Sequence, residues 1–279
     1  MKNDPRGKVV LITGGALGMG AEIAKIFARN GAIVVLWDLR KEDLEKTAKE
    51  IKGWGGEVYT YICDVTNRQM VYETAEKVKK EVGPVDVLDN NAGVVYAGPF
   101  LEIDDEKHLK CLNVNINGIL WCTRAFLPDM IKRNQGHIIM MASAAGIVGV
   151  GGLAVYCATK HAVVGFSDAL RVELKQKEVY GNIGITVVCP SFVQTGMFSG
   201  VNPPLLTRWL TTEKMAKKIY KAYQKKRLYV REPLMVKFLP LLKGISLTRM
   251  VDRVGIWLGM DESASTWQGR PDQDKYIKS

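Results

Sequence analysis

Six short apolar runs, each set apart from the next by a longer stretch of helical character, do most to limit what this chain can become. Lys8 to Thr13, Ile33 to Trp37, Val58 to Ile62, Val85 to Leu88, His137 to Met141 and Ile185 to Val188 are apolar enough for burial on both faces. The segments between them are rich in Ala, Lys and Glu, and Gly31 after Ala28-Arg29-Asn30 supplies a helix stop. Strands separated by helices pair in parallel, and the crossover helices then cover both faces of the sheet. The expectation is an α/β fold with a doubly wound parallel sheet of about seven strands. No internal repeat or low-complexity linker divides the 279 residues, and 47% hydrophobic content suffices for one large core, so residues 1–279 read as a single domain.

Several function classes are set aside on composition. No apolar run approaches the ~20 residues of a membrane-spanning helix. The polar start, Met1-Lys2-Asn3-Asp4-Pro5-Arg6-Gly7-Lys8, lacks the apolar region of a signal peptide, and the expected location is cytoplasmic. Cys63, Cys111, Cys122, Cys157 and Cys189 are scattered without a CxxC pair, which argues for buried thiols over a disulfide framework or zinc site. His108, His137 and His161 have no ligand-like spacing and read as structural, so no metal is expected.

The first strand runs into Thr13-Gly14-Gly15-Ala16-Leu17-Gly18-Met19-Gly20 and then a helix. Glycines spaced this way let the backbone turn sharply and let a diphosphate approach the helix N-terminus, where unpaired N–H groups and the helix dipole favour negative charge. The second strand ends at Asp38, eighteen residues after Gly20, where a carboxylate can accept hydrogen bonds from ribose hydroxyls. The same carboxylate repels a 2′-phosphate, so NAD is expected over NADP. Arg40 and Lys41 follow closely and are placed to recruit such a phosphate if the loop turns.

Tyr156 and Lys160 lie four apart in Tyr156-Cys157-Ala158-Thr159-Lys160, hence on one helix face, and Ser143 stands thirteen residues upstream of the tyrosine. An ammonium beside a phenol favours the phenolate, and a tyrosine so placed serves as general base toward an alcohol or general acid toward a carbonyl. Together with the glycine turn, Asp64 after the third strand, Asn90-Asn91-Ala92-Gly93 after the fourth and Asn115 in NVNING, this order of motifs resembles the short-chain dehydrogenase/reductase family over residues 7 to 200.

The resemblance implies a Rossmann-like fold and a nicotinamide-dependent interconversion of alcohols with ketones or aldehydes. It implies a catalytic set of Asn115, Ser143, Tyr156 and Lys160, with Asn115 relaying protons through water to Lys160. Around NAD it places Gly14, Ala16, Leu17, Gly18, Met19 and Gly20 at the turn, and Asp38 and Leu39 after the second strand. Asp64 and Val65 fall at the adenine, Asn91 beside the ribose and Thr195 at the carboxamide, with Ala92, Gly93, Tyr156, Lys160, Pro190 and Val193 as further cofactor contacts. Pro190-Ser191 replaces the family's usual Pro-Gly, which puts the shape of that loop in question. A homodimer or homotetramer is also implied, paired through the YxxxK helix and the one before it. Two alternatives stand beside this reading: an NADP-dependent carbonyl reductase, and a non-catalytic dinucleotide-sensing protein on the same fold.

Residues 7–200 are thus the cofactor-binding and catalytic core, and residues 201–260 a substrate lid. Residues 205 to 260 hold thirteen Lys or Arg against three acidic residues, which equals the net charge of +10 for the whole chain. Thr212 to Arg227 reads as a helix and Leu228 to Val230 as a last strand. Leu234 to Met260 mixes large apolar residues with Lys237, Lys243, Arg249 and Arg253, a pattern suited to an interfacial helix at an anionic membrane or to a lid packing inward. Pro240 and Gly244 are expected to break its helical period. The stretch has no nucleic-acid motif. Val34 to Asp38 and Pro190 to Gly196 are similar to the hydroxysteroid and retinol dehydrogenase branch, which implies a lipophilic substrate and allows peripheral membrane contact.

Overall fold

The computed structural model describes residues 3–176, 182–204, 207–245, 253, 256, 257, 259, 264–270 and 273–276. Seven strands form one parallel sheet: β1 Val9–Thr13, β2 Ile33–Asp38, β3 Val58–Ile62, β4 Val85–Asn90, β5 Gly136–Met141, β6 Ile183–Pro190 and β7 Tyr229–Glu232. Their order is β3-β2-β1-β4-β5-β6-β7. From β1 the chain winds outward first to one side and then, from β4, to the other. The crevice between the C-terminal ends of β1 and β4 is therefore the switch point at which ligands bind in such sheets.

Alternate side chains of the inner strands enter opposite cores, as a period of two requires, whereas on edge strand β3 Thr60 and Ile62 are exposed, contrary to the expected burial on both faces. Leu11, Val35, Trp37, Leu88, Ile138 and Met140 face one layer, which includes α3 (Arg68–Glu81), α5 (Gly118–Arg133) and α6 (Ala154–Gln176). Val10, Ile12, Val34, Leu36, Val87 and Ile139 face the other, covered by α1 (Gly18–Arg29), α2 (Lys41–Gly53) and α7 (Thr212–Gln224). Helix α1 buries Gly20, Ile23, Ala24 and Phe27, the three-and-four spacing of an inward face, and stops at Gly31 with φ +81°. Asp89 on β4 interrupts the second layer without a partner: it is wholly buried and neither carboxylate oxygen has a hydrogen-bond partner.

The C-terminal third departs from expectation in detail. Helix α7 ends at Gln224, three residues early, in a turn where Lys226 takes φ +49°. Helix α8 (Leu234–Ile245) runs unbroken through Pro240, contrary to the expected break. The proline removes one N–H, but Val236 is buried on the inner side and Lys243 Nζ donates to Ile147 O at 2.9 Å, so tertiary anchoring outweighs the loss. Arg249 lies outside the described residues, as does the rest of the expected apolar run except Arg253, Ile256, Trp257 and Gly259.

Candidate functional site

The crevice at the switch point is a cleft whose walls come from the ends of β1, β2, β3, β4, β5 and β6. Gly14, Leu17 and Met19 line it from the glycine turn, with Asp38 and Leu39 from β2 and Asp64 and Val65 from the loop after β3. Asn91, Ala92 and Gly93 line it after β4, and Pro190, Val193 and Thr195 after β6. Ser143, Tyr156 and Lys160 complete the far end. Ala16, Gly18, Gly20 and Asn115 are not on its surface, and each has a structural post nearby.

The turn itself is built by backbone approach. Gly14 takes φ +65°, and a Cβ on Gly20 would collide with Gly14 O, so only glycine lets α1 begin this close to β1. Ala16 N–H donates to Asp38 Oδ2 at 3.0 Å, and Arg40 N–H to Asp38 Oδ1 at 3.0 Å. These bonds fix the Asp38 carboxylate at the cleft wall. Burial raises its pKa, against the pull of the three backbone N–H groups of Arg40, Ala16 and Leu39 and of the Arg40 charge. Arg40 lines the cleft beside it and pairs with Asp43 at 3.5 Å. Asn91 ties the turn to β4, its Nδ2 donating to Thr13 O at 2.9 Å and Gly14 O at 3.1 Å. Asp64 Oδ1 accepts from Thr66 N–H and Oγ1 at 2.9 and 2.7 Å, closing the turn before α3, whose cap is Asn67.

At the other end, Ser143 follows β5 and caps a short turn, Ala144–Gly146. A Cβ on Gly146 would stand 2.5 Å from Lys160 O, so the missing side chain lets this turn sit directly on α6. Ser143 Oγ donates to Pro190 O at 3.4 Å and accepts Ala145 N–H at 3.2 Å, and the residue lines the same end of the cleft as Tyr156. Lys160, one helical turn on, is buried with its Nζ 5.6 Å from the centre of the Tyr156 ring, donating to Met141 O at 2.8 Å. Burial draws its pKa down to about 8. Burial raises that of the Tyr156 phenol, while Ser143 acts the other way. Loss of water around the buried phenol is thus the largest influence on it in the chain alone.

Asn115 sits in a single π-helical turn, Asn113–Asn117, between α4 (Asp105–Leu112) and α5. Its Oδ1 accepts Val94 N–H at 2.9 Å, and its Nδ2 donates to Val94 O at 2.9 Å and Thr159 Oγ1 at 3.1 Å. The side chain thus stitches the loop after β4 to α6. Asn115 Oδ1 and Lys160 Nζ stand 3.3 and 3.6 Å from the point a Cβ on Gly93 would occupy.

A second, almost wholly apolar pocket adjoins the cleft and shares Ser143, Tyr156, Ser191 and Phe198 with it. Val148, Val150 and Leu153 form its floor, and Met235, Val236 and Leu239 of α8 its roof. Phe198 meets the Tyr156 ring edge-on at 6.0 Å. The sequence offered no periodic signal for these loop residues, nor for Arg270 and Gln273, which reach the cleft from near the C-terminus. His137 is buried against Thr186 at 2.9 Å with its pKa lowered to about 3 by burial, His161 bonds Cys157 O, and His108 stacks on Phe100. All five cysteines are free and buried, and no metal-binding cluster occurs among the described residues.

Comparisons agree with this geometry. The family model described as short chain dehydrogenase matches residues 8–205. Short-chain dehydrogenase/reductase family 16C member 6 of Bos taurus is 42% identical over 95% of this chain and 85% of its own length. Epidermal retinol dehydrogenase 2 of Homo sapiens is 40% identical over 91% and 84%, and human estradiol 17-beta-dehydrogenase 11 is 44% identical over 71% and 66%. Among solved structures, a short-chain dehydrogenase/reductase from Burkholderia phymatum in complex with NAD superposes with TM-score 0.78 at 27% identity, covering 87% of this chain and 95% of that one. A metagenomic short-chain oxidoreductase in complex with NADP gives 0.69 at 29%, over 82% and 96%. Sheet order, glycine turn, serine–tyrosine–lysine end and sequence kinship converge, and the chain belongs to the short-chain dehydrogenase/reductase family of oxidoreductases.

Proposed function

We propose that this chain is an NAD(H)-dependent oxidoreductase interconverting a lipophilic primary or secondary alcohol with its aldehyde or ketone. The observation that carries the reading is the shared wall: Ser143 and Tyr156 face both the polar cleft and the apolar pocket. The cleft residues fit a dinucleotide, with the start of α1 at its middle, the Asp38 carboxylate at one end and Tyr156 at the other. When bound, that cofactor supplies or accepts the hydride.

The chain's own residues handle the oxygen and its proton. Ser143 donates to the substrate oxygen and holds it against Tyr156, which takes the alcohol proton on oxidation and returns it to the carbonyl oxygen on reduction. Lys160 stabilises the phenolate by its charge beneath the ring. A water in the space left by the absent Gly93 side chain joins Lys160 to Asn115 and passes the proton outward. Asp38 disfavours a 2′-phosphate and supports NAD. Arg40 beside it favours the second reading, an NADP-dependent carbonyl reductase, and the ratio of NAD to NADP turnover separates the two. Joint presence of Ser143, Tyr156 and Lys160 at one point counts against a purely sensing role.

The lipophilic substrate class rests on the pocket lining and on the relatives named for retinol and estradiol. Leu234, Phe238, Leu241 and Leu242 are exposed on the outer side of the same α8 that roofs the pocket, with Lys237 and Lys243 among them. This supports a cytoplasmic protein touching an anionic membrane surface peripherally, and no described helix is long and apolar enough to cross one. Ala162, Gly165, Ala169 and Val172 are exposed along α6, a small apolar face that supports pairing with a second copy. The deciding experiment is NAD reduction across alcohols graded from small diols to sterols, beside Tyr156→Phe. Rates that climb with apolarity and vanish in the mutant support the reading; best turnover on small polyols overturns the lipophilic assignment.

A further inference from the structure

A C-terminal segment that contributes no strand to the sheet reaches back across the mouth of the cleft. It is fastened at several points. Thr266 Oγ1 donates to Gly200 O at 2.6 Å, Gln268 N–H to Ser199 O at 2.8 Å and Trp267 Nε1 to Met197 O at 3.0 Å. Further along, Gln273 Nε2 donates to Val95 O at 2.9 Å and Tyr96 Oη to Asp274 Oδ1 at 2.7 Å. These anchors lie on both sides of the cleft, on the loop after β6 and the loop after β4.

Between them the segment delivers one guanidinium. Arg270 Nε and Nη2 donate to Thr195 O at 3.2 and 2.8 Å, and Nη2 stands 3.3 Å from where a Cβ on Gly18 would be. Gly18 is the first residue of α1. Three cationic side chains line the cleft among the described residues: Arg40 at the Asp38 end, Lys160 at the Tyr156 end, and Arg270. Arg270 alone lies at the middle, opposite the start of α1, where a dinucleotide carries its two phosphates. A planar guanidinium fork matches phosphate oxygens geometrically as well as electrostatically.

We propose that Arg270 is a ligand for the cofactor diphosphate, so that the anion site is made jointly by the glycine turn and the C-terminal segment. This rests on the dinucleotide reading of the cleft.

The test is equilibrium binding of NADH by its fluorescence, with ADP-ribose and adenosine as competitors, on the full chain. Arg270→Gln is expected to weaken NADH and ADP-ribose by about 10–100-fold, the scale of a charge-assisted hydrogen bond, while leaving adenosine within about twofold. Arg270→Lys, which keeps the charge and loses the fork, is expected to fall between. Unchanged ADP-ribose binding in Arg270→Gln overturns the assignment, as does an equal loss for adenosine, which marks a collapsed segment. A wild-type chain that binds neither NADH nor ADP-ribose overturns the dinucleotide reading itself.

Discussion

The two cavities that meet at Tyr156 are built by different means. The cleft is made at the ends of strands, largely from backbone and short polar groups, and its positions follow from where β1, β2, β3, β4 and β6 stop. The pocket is made from loops and one face of α8, with side chains chosen for bulk. A sheet of fixed spacing constrains the first closely, whereas the second changes whenever a loop does. On the proposed reading one chain thereby couples a general cofactor site to a particular substrate site, and among the described residues the two cavities share Ser143, Tyr156, Ser191 and Phe198.

The comparison is tested most severely at its border. Tyr156→Phe should lower kcat about 10²–10⁴-fold, the usual worth of a general acid–base group, with NADH binding within about threefold of wild type by fluorescence titration. Loss of binding in parallel would mean that the border residue holds the cofactor and the division is false. Within the cleft, Asp38→Asn removes the charge that repels a 2′-phosphate. The NAD to NADP ratio of kcat/KM should fall about 10–100-fold, with no dependence on which alcohol is used. Within the pocket, Leu239→Ser should lower kcat/KM for sterol or long-chain alcohols about tenfold and leave small alcohols nearly untouched. NADH affinity should not move.

Smaller effects belong to the outer surfaces. Lys237→Gln on the exposed side of α8 should weaken binding to phosphatidylserine vesicles about fivefold in sedimentation, or about 1 kcal/mol, without altering turnover of a dissolved substrate. The smallest change in activity is expected at Asp89, below the cleft, yet Asp89→Val should stabilise the fold by about 1–3 kcal/mol at neutral pH. Burial raises the Asp89 pKa well above the ordinary carboxylate value. The unfolded chain therefore ionises near pH ~4 while the folded one resists, and wild type loses stability as pH rises from there. The gap between mutant and wild type should widen from pH 4 upward in thermal melts; a constant gap would show that Asp89 is charged or partnered.

How far the sequence could be read follows the same division. The strands, the glycine turn, Asp38 and the Tyr156–Lys160 pair were legible because period, spacing and residue chemistry all encode local geometry. Ala16, Gly18 and Gly20 belong to the turn without facing the cleft, a distinction that depends on which way each residue points. Asn115 was found by resemblance, but its π-helical turn carries no composition signal. Helix α8 survived its proline through the contacts of Val236 and Lys243, which are tertiary. Arg270 had no local mark at all. It lies 75 residues from Thr195, the residue it bonds, and only the folded path joins them.

The border between the cavities also has a consequence for handedness. A ketone with two different substituents is flat, and attack on its two faces gives alcohols of opposite configuration at that carbon. On the proposed reading, with a ketone oxygen held by Ser143 and Tyr156, one face turns to the cleft and the bulkier substituent enters the pocket under α8, whose wall includes the Phe198 ring that meets Tyr156 edge-on. On that reading hydride reaches one face of a ketone, and the ratio of the two configurations in the product alcohol measures how firmly the pocket holds the larger substituent.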